Sequence, residues 1–166
     1  MIGKKGLKSP LRSVVWPVAA VLVLALCSLQ AGSSAQKNQL QYVLVVNAAN
    51  SFQAGGNPRR LREVTKQLFL KERSQWPNIL HAKPYSRSSD SPEQRAFMQR
   101  VLGLTEIELV THWISLKQRT GQTRPREVAS DRILIRFVER SEGAFGVLPK
   151  DSLRGASDRV KVLFSF

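Results

Sequence analysis

RSSDSPEQRAFMQRVLG, residues 87–103, is a serine-rich polar turn that runs into a helix. Ser91 is a favoured N-cap, Pro92 suits the first helical position, and Gln94 stands where a capping-box partner reaches back. Phe97, Met98, Val101 and Leu102 then give an apolar face, and Gly103 closes the helix. The free N–H groups and the positive dipole end of a helix start attract oxyanions, and Arg87 adds a guanidinium just upstream. An anion bound here would be held by Arg87, the hydroxyls of Ser88 and Ser91, and backbone N–H groups beyond Pro92.

Upstream of this stretch, a continuous apolar run at Tyr42–Val46 (YVLVV) predicts a strand buried on both faces. The small, polar segment 47–57 leads to Pro58 and a helix to about Leu70, with Leu61, Val64, Leu68 and Phe69 at helical spacing. Arg59, Arg60 and Arg62 crowd its first turn, a placement the dipole disfavours and a solvated basic face explains. Trp76-Pro77 marks a turn whose aromatic covers one edge of the core. Residues 79–85 then form a second strand.

Downstream, Thr105 caps a helix with Glu106 and Glu108 in its first turn. Ile107, Val110 and Ile114 form one stripe on it and Leu109, Trp113 and Leu116 flank that stripe, which predicts a largely buried helix. KQRTGQTRPR (117–126) is a basic loop. Residues 130–140 read as a helix with Ile133, Leu134, Phe137 and Val138 inward, and Ala144–Leu148 as a strand. Residues 150–153 make one helical turn, and residues 160–164 a last strand. Helices alternate with strands, so the fold class is α/β, a central sheet flanked by helices.

The first 35 residues stand apart from this pattern. Lys4, Lys5, Lys8 and Arg12 precede an apolar run from Val14 to Leu29, and Ser33-Ser34-Ala35 offers small residues before a cleavage point. Residues 1–35 therefore read as a secretory signal peptide, 36–41 as a polar leader and 42–166 as one α/β domain. The single cysteine, Cys27, lies within the signal segment, so the remainder has no disulfide and no thiol nucleophile. His81 and His112 are isolated from one another and from ligand-spaced carboxylates, which argues against a metal site.

The chain carries a formal net charge of +14, of which the first 35 residues hold four cations and no acid, leaving +10 for the rest. Such a balance favours anionic partners. No nucleic-acid module is recognisable, and lipid headgroups, acidic polymers and small oxyanions stay open. Neither a nucleophile elbow, nor metal-ligand spacing, nor a phosphate loop is present, so composition and motifs give an enzyme little support and imply no cofactor.

YVLVVNAAN, LREVTKQLFLKERSQWPN, RSSDSPEQRAFMQRVLG, REVASDRILIRFVERSEGAFGVLP and the closing VKVLFSF together resemble the phosphate-type periplasmic substrate-binding proteins of ABC transporters. The order of the pieces is more specific than any one of them. The resemblance implies a type 2 periplasmic-binding-protein fold, a secreted and non-catalytic oxyanion binder, and an ABC permease or another envelope protein as partner. On the family's Arg-x-x-Gly-Ser-Gly-Thr turn, Arg87 matches the arginine and Ser91 the serine, and Phe97 matches the helix aromatic. The departures fall at the ligand: Pro92 removes an N–H donor, and Glu93 puts a carboxylate where the family has a threonine hydroxyl, which counts against phosphate. The chain is also about half the size of a two-lobed binder, so a single lobe is expected. Two classes of function follow, an exported solute-binding protein and a structural or regulatory envelope protein that keeps the fold without a ligand.

Overall fold

The computed structural model describes residues 41–166; the signal segment and all but the last residue of the polar leader lie outside the described residues. Five strands form one open sheet in the order β3-β2-β4-β1-β5. They are β1 (Tyr42–Asn47), β2 (Lys83–Ser86), β3 (Arg126–Glu127), β4 (Ala144–Pro149) and β5 (Val160–Ser165). β1 runs antiparallel to both β4 and β5, whereas β2 runs parallel to β4 and to β3.

The period of a strand explains why the YVLVV run has no polar position. Leu44 and Val46 point into one apolar cluster, Val43 and Val45 into another across the sheet, and all four are fully buried. Burial of each contributes roughly 1.5–3 kcal/mol. The larger cluster is built from Leu61, Leu68 and Phe69 of α1 (Pro58–Phe69), Phe97 of α2 (Pro92–Phe97), and Trp76. Phe97 meets Phe69 edge-on at 5.0 Å, and Trp76 meets Phe145 at 5.2 Å. The opposite face is covered by α4 (Asp131–Arg140) through Leu134 and Val138. Asn47, at the end of β1, donates from Nδ2 to the carbonyls of Val138 (2.8 Å) and Glu139 (3.1 Å), tying the last turn of α4 to the sheet.

Local capping follows the sequence closely. Asn57 accepts from the N–H groups of Arg59 and Arg60 ahead of α1. Thr105 and Glu108 close a reciprocal capping box at α3 (Glu106–Thr120). The helix from Pro92 changes hydrogen-bond pattern after Phe97: residues Met98–Leu102 form a wider π turn, ended by Gly103 at φ 64°.

Four expectations are corrected. The strand predicted over residues 79–85 begins only at Lys83, because Ile79 turns back on Trp76, its N–H bonding that carbonyl at 2.9 Å with φ at 63°. Trp76 is not an edge cover but one of the most buried side chains, its indole N–H donating to the Gly143 carbonyl at 3.0 Å. α3 is not largely buried, since only Leu116 is fully covered. Ile107 (79% exposed), Val110 and Ile114 face outward, while Leu109 and Trp113 pack on the core. α3 has apolar residues on two stripes, and the flanking stripe bearing the indole wins the core because it meets Phe69. On α4, Ile133 likewise points outward.

Candidate anion site at Arg87

Arg87 follows the last residue of β2, in the turn that leads to α2. Three side chains were predicted to meet an anion here, and each has a partner within the chain. The Arg87 guanidinium is buried and donates in three directions: from Nε to Glu93 Oε1 at 2.9 Å, from Nη1 to the Val128 carbonyl at 2.6 Å, and from Nη2 to Asp131 Oδ1 at 2.5 Å. Ser88 donates its hydroxyl to Asp90. That hydroxyl, then a backbone N–H, with Arg95 nearby, hold the exposed Asp90 carboxyl below its ordinary range. Ser91 caps α2, accepting from the Gln94 N–H at 3.3 Å.

Gln94 departs from a closed capping box. Its Oε1 accepts from the Arg87 N–H at 2.9 Å, because the Ser91 N–H is already bonded to the Ser88 carbonyl at 3.0 Å. The turn is thus drawn tight around Arg87 from both sides. Glu93 is itself buried, and Asp131, in the first turn of α4, also accepts the Ser152 hydroxyl at 2.5 Å.

One guanidinium between two carboxylates leaves a local charge of minus one. Like unit charges about 4 Å apart repel by about 4 kcal/mol at an effective dielectric of about 20, so an anion arriving at Arg87 meets opposition from Glu93 and Asp131 together. The adjoining cavity, about 160 Å³, is lined by Phe69, Leu109 and Trp113 with Glu106 and Glu127 beside them, and supplies no compensating cation except Arg124 at its margin. Asp131 was missed in the sequence. It lies 44 residues from Arg87, and its only visible signal is an acid at a helix start after Ser130.

Neither protein-family models nor curated protein sequences match the chain. Solved structures do match. An ABC-type phosphate transport receptor from Vibrio cholerae aligns with a TM-score of 0.50 at 15% identity, covering 78% of this chain and 51% of the receptor. A putative phosphate ABC transporter substrate-binding protein with bound phosphate from Clostridium perfringens aligns at 0.51 and 16% identity, over 73% of this chain and 43% of its own. PstS from Borrelia burgdorferi aligns at 0.53 and 11% identity, over 73% and 45%. Residues 41–166 thus have the α/β fold of the phosphate-type periplasmic substrate-binding proteins, as the ordered motifs implied. The chain spans about half the length of those proteins.

Proposed function

We propose that this chain is an exported, non-enzymatic binding protein of the phosphate-type fold in which the anion position beside Arg87 is occupied by its own acid. It acts as a structural or regulatory envelope lobe, recognising an anionic partner through its basic surface instead of capturing free phosphate at the α2 start. The observation that carries this reading is the buried guanidinium of Arg87 shared between Glu93 and Asp131. Export rests on the basic, apolar and small-residue succession of residues 1–35. Among the described residues, no helix is long and apolar enough to cross a membrane.

A second reading, an oxyanion-binding solute receptor that serves an ABC permease, draws support from the fold and from the Clostridium perfringens protein, which holds phosphate. Calorimetric titration with phosphate and sulfate separates the two. The first reading expects no saturable heat that depends on Arg87. Saturable phosphate binding that Arg87→Ala abolishes would replace it with the second. Mass spectrometry of the protein recovered from the envelope tests export, with an N-terminus near Gln36 expected and an intact Met1 in the membrane fraction counting against cleavage.

A further inference from the structure

A group of basic residues without acids lies away from Arg87. Lys71, Arg73, His81, Lys83, Arg124 and Arg126 line a cleft of about 520 Å³ between the end of α1, the start of β2 and the loop ahead of β3. Lys83 opens β2, whereas Arg87 follows its last residue, and the cleft shares Arg124 and Pro125 with the cavity beside Arg87. No aspartate or glutamate lines the cleft. Among the described residues, Lys71, Arg73, Lys83 and Arg126 have no carboxylate in ion-pair range, and Arg124 has only Glu127 at 3.9 Å.

Two of these cations, Lys71 and Arg126, have partners within the chain. Lys71 adopts φ 59° just past the C-terminus of α1, a left-handed position that glycine usually takes, and its Nζ donates to the Thr123 carbonyl at 2.5 Å. That bond ties the 121–125 loop to the helix end and brings Arg124 toward Lys83. Arg126 lies over the Phe137 ring at 5.0 Å. Converging like charges repel one another unless an anion joins them, and guanidiniums chelate paired oxygens. The volume falls within the roughly 300–1,000 Å³ of small-molecule sites, generous for one tetrahedral oxyanion.

We infer that this cleft binds a compact ligand carrying two or more phosphoryl groups, with Arg73 and Lys83 on one side and Arg124 and Arg126 on the other. The site does not include Arg87, although Arg124 borders both cavities, and the inference holds whether or not that turn takes an anion. The same chemistry occurs in soluble diphosphates and in the paired phosphates of a cardiolipin headgroup.

The test titrates the purified protein with pyrophosphate and with orthophosphate at fixed ionic strength, and sediments it with cardiolipin vesicles. Pyrophosphate is expected to saturate at one per chain and to bind at least tenfold tighter than orthophosphate. Arg73→Ala and Lys83→Ala should each weaken it at least fivefold, while Arg59→Ala, an exposed cation at the far end of α1, changes it less than twofold. Vesicle binding lost in the same two variants and spared by Arg59→Ala supports the site with a headgroup as its source. Absence of both pyrophosphate saturation and vesicle binding overturns the inference. So does an equal loss in Arg59→Ala, which would reduce the attraction to diffuse charge.

Discussion

Glu93 Oε1 lies 2.9 Å from Arg87 Nε, with both side chains more than nine-tenths buried. The acid is six residues along the chain, in the first turn of α2 two residues beyond the N-cap, and it stands where the resemblance places a threonine. Glu93→Thr removes that carboxylate and leaves Asp131 on Nη2. Because one partner remains, the loss of stability should fall below the roughly 3–5 kcal/mol typical of a broken buried pair, as read by urea denaturation. Phosphate should stabilise the variant more than the unaltered protein. A variant that is folded yet indifferent to phosphate would show that the Arg87 turn has no anion-binding capacity to uncover.

Gly143→Ala should be among the most damaging single substitutions. A Cβ there would stand 1.8 Å from the His81 carbonyl oxygen, a backbone atom that cannot swing aside. The same residue's carbonyl receives the Trp76 indole N–H. The expected cost exceeds the roughly 0.5–3 kcal/mol of an ordinary substitution, visible as loss of the cooperative thermal transition.

Ile79→Gly should act in the opposite direction. Ile79 holds φ 63° while 81% exposed, so a β-branched residue bears left-handed strain with few contacts to show for it. Left-handed backbone costs an L-residue roughly 1–2 kcal/mol, and glycine's added chain entropy offsets roughly 0.5–1 kcal/mol of the relief. A net gain of roughly 0–1.5 kcal/mol should appear as a raised urea midpoint with an unchanged slope.

The capping box at α3 predicts an acid-sensitive helix start. The Thr105 backbone N–H, and secondarily its hydroxyl, hold the Glu108 carboxyl below the ordinary glutamate range. A folded pKa lowered in this way gives stability that is fully present above the unfolded value and is lost as pH falls through the folded one. Protection of the first-turn amides of α3, taken relative to their intrinsic exchange rates, should therefore fall at acid pH, and Glu108→Gln should flatten that dependence.

The sequence was most legible where one physical signal acted alone. β1 and β4 are apolar runs without a competing pattern, and Asn57, Ser91 and Thr105 cap the helices they announce. It was least legible where two signals had equal weight or where the partner was remote. α3 offers two apolar stripes, and only the position of Phe69 decides between them. β3 is two exposed charged residues, Arg126 and Glu127, with no strand pattern to find. At the candidate site, the local half of the Arg87 arrangement could be anticipated from Glu93, whereas Asp131 and the Val128 carbonyl arrive from 44 and 41 residues away.

The sheet order has a consequence for how the molecule comes into being. β1, the first strand among the described residues, has β4 and β5 as its neighbours there, and these end at Pro149 and Ser165. A growing chain therefore carries an unsatisfied, fully apolar ribbon through the synthesis of about a hundred residues, and no segment made in the interim can pair with it as the finished sheet does. Pairing across that separation is entropically late and slow. Chains that stop short of Ala144 should thus be held by chaperones or aggregate, and the sheet should form only once the final strands are available.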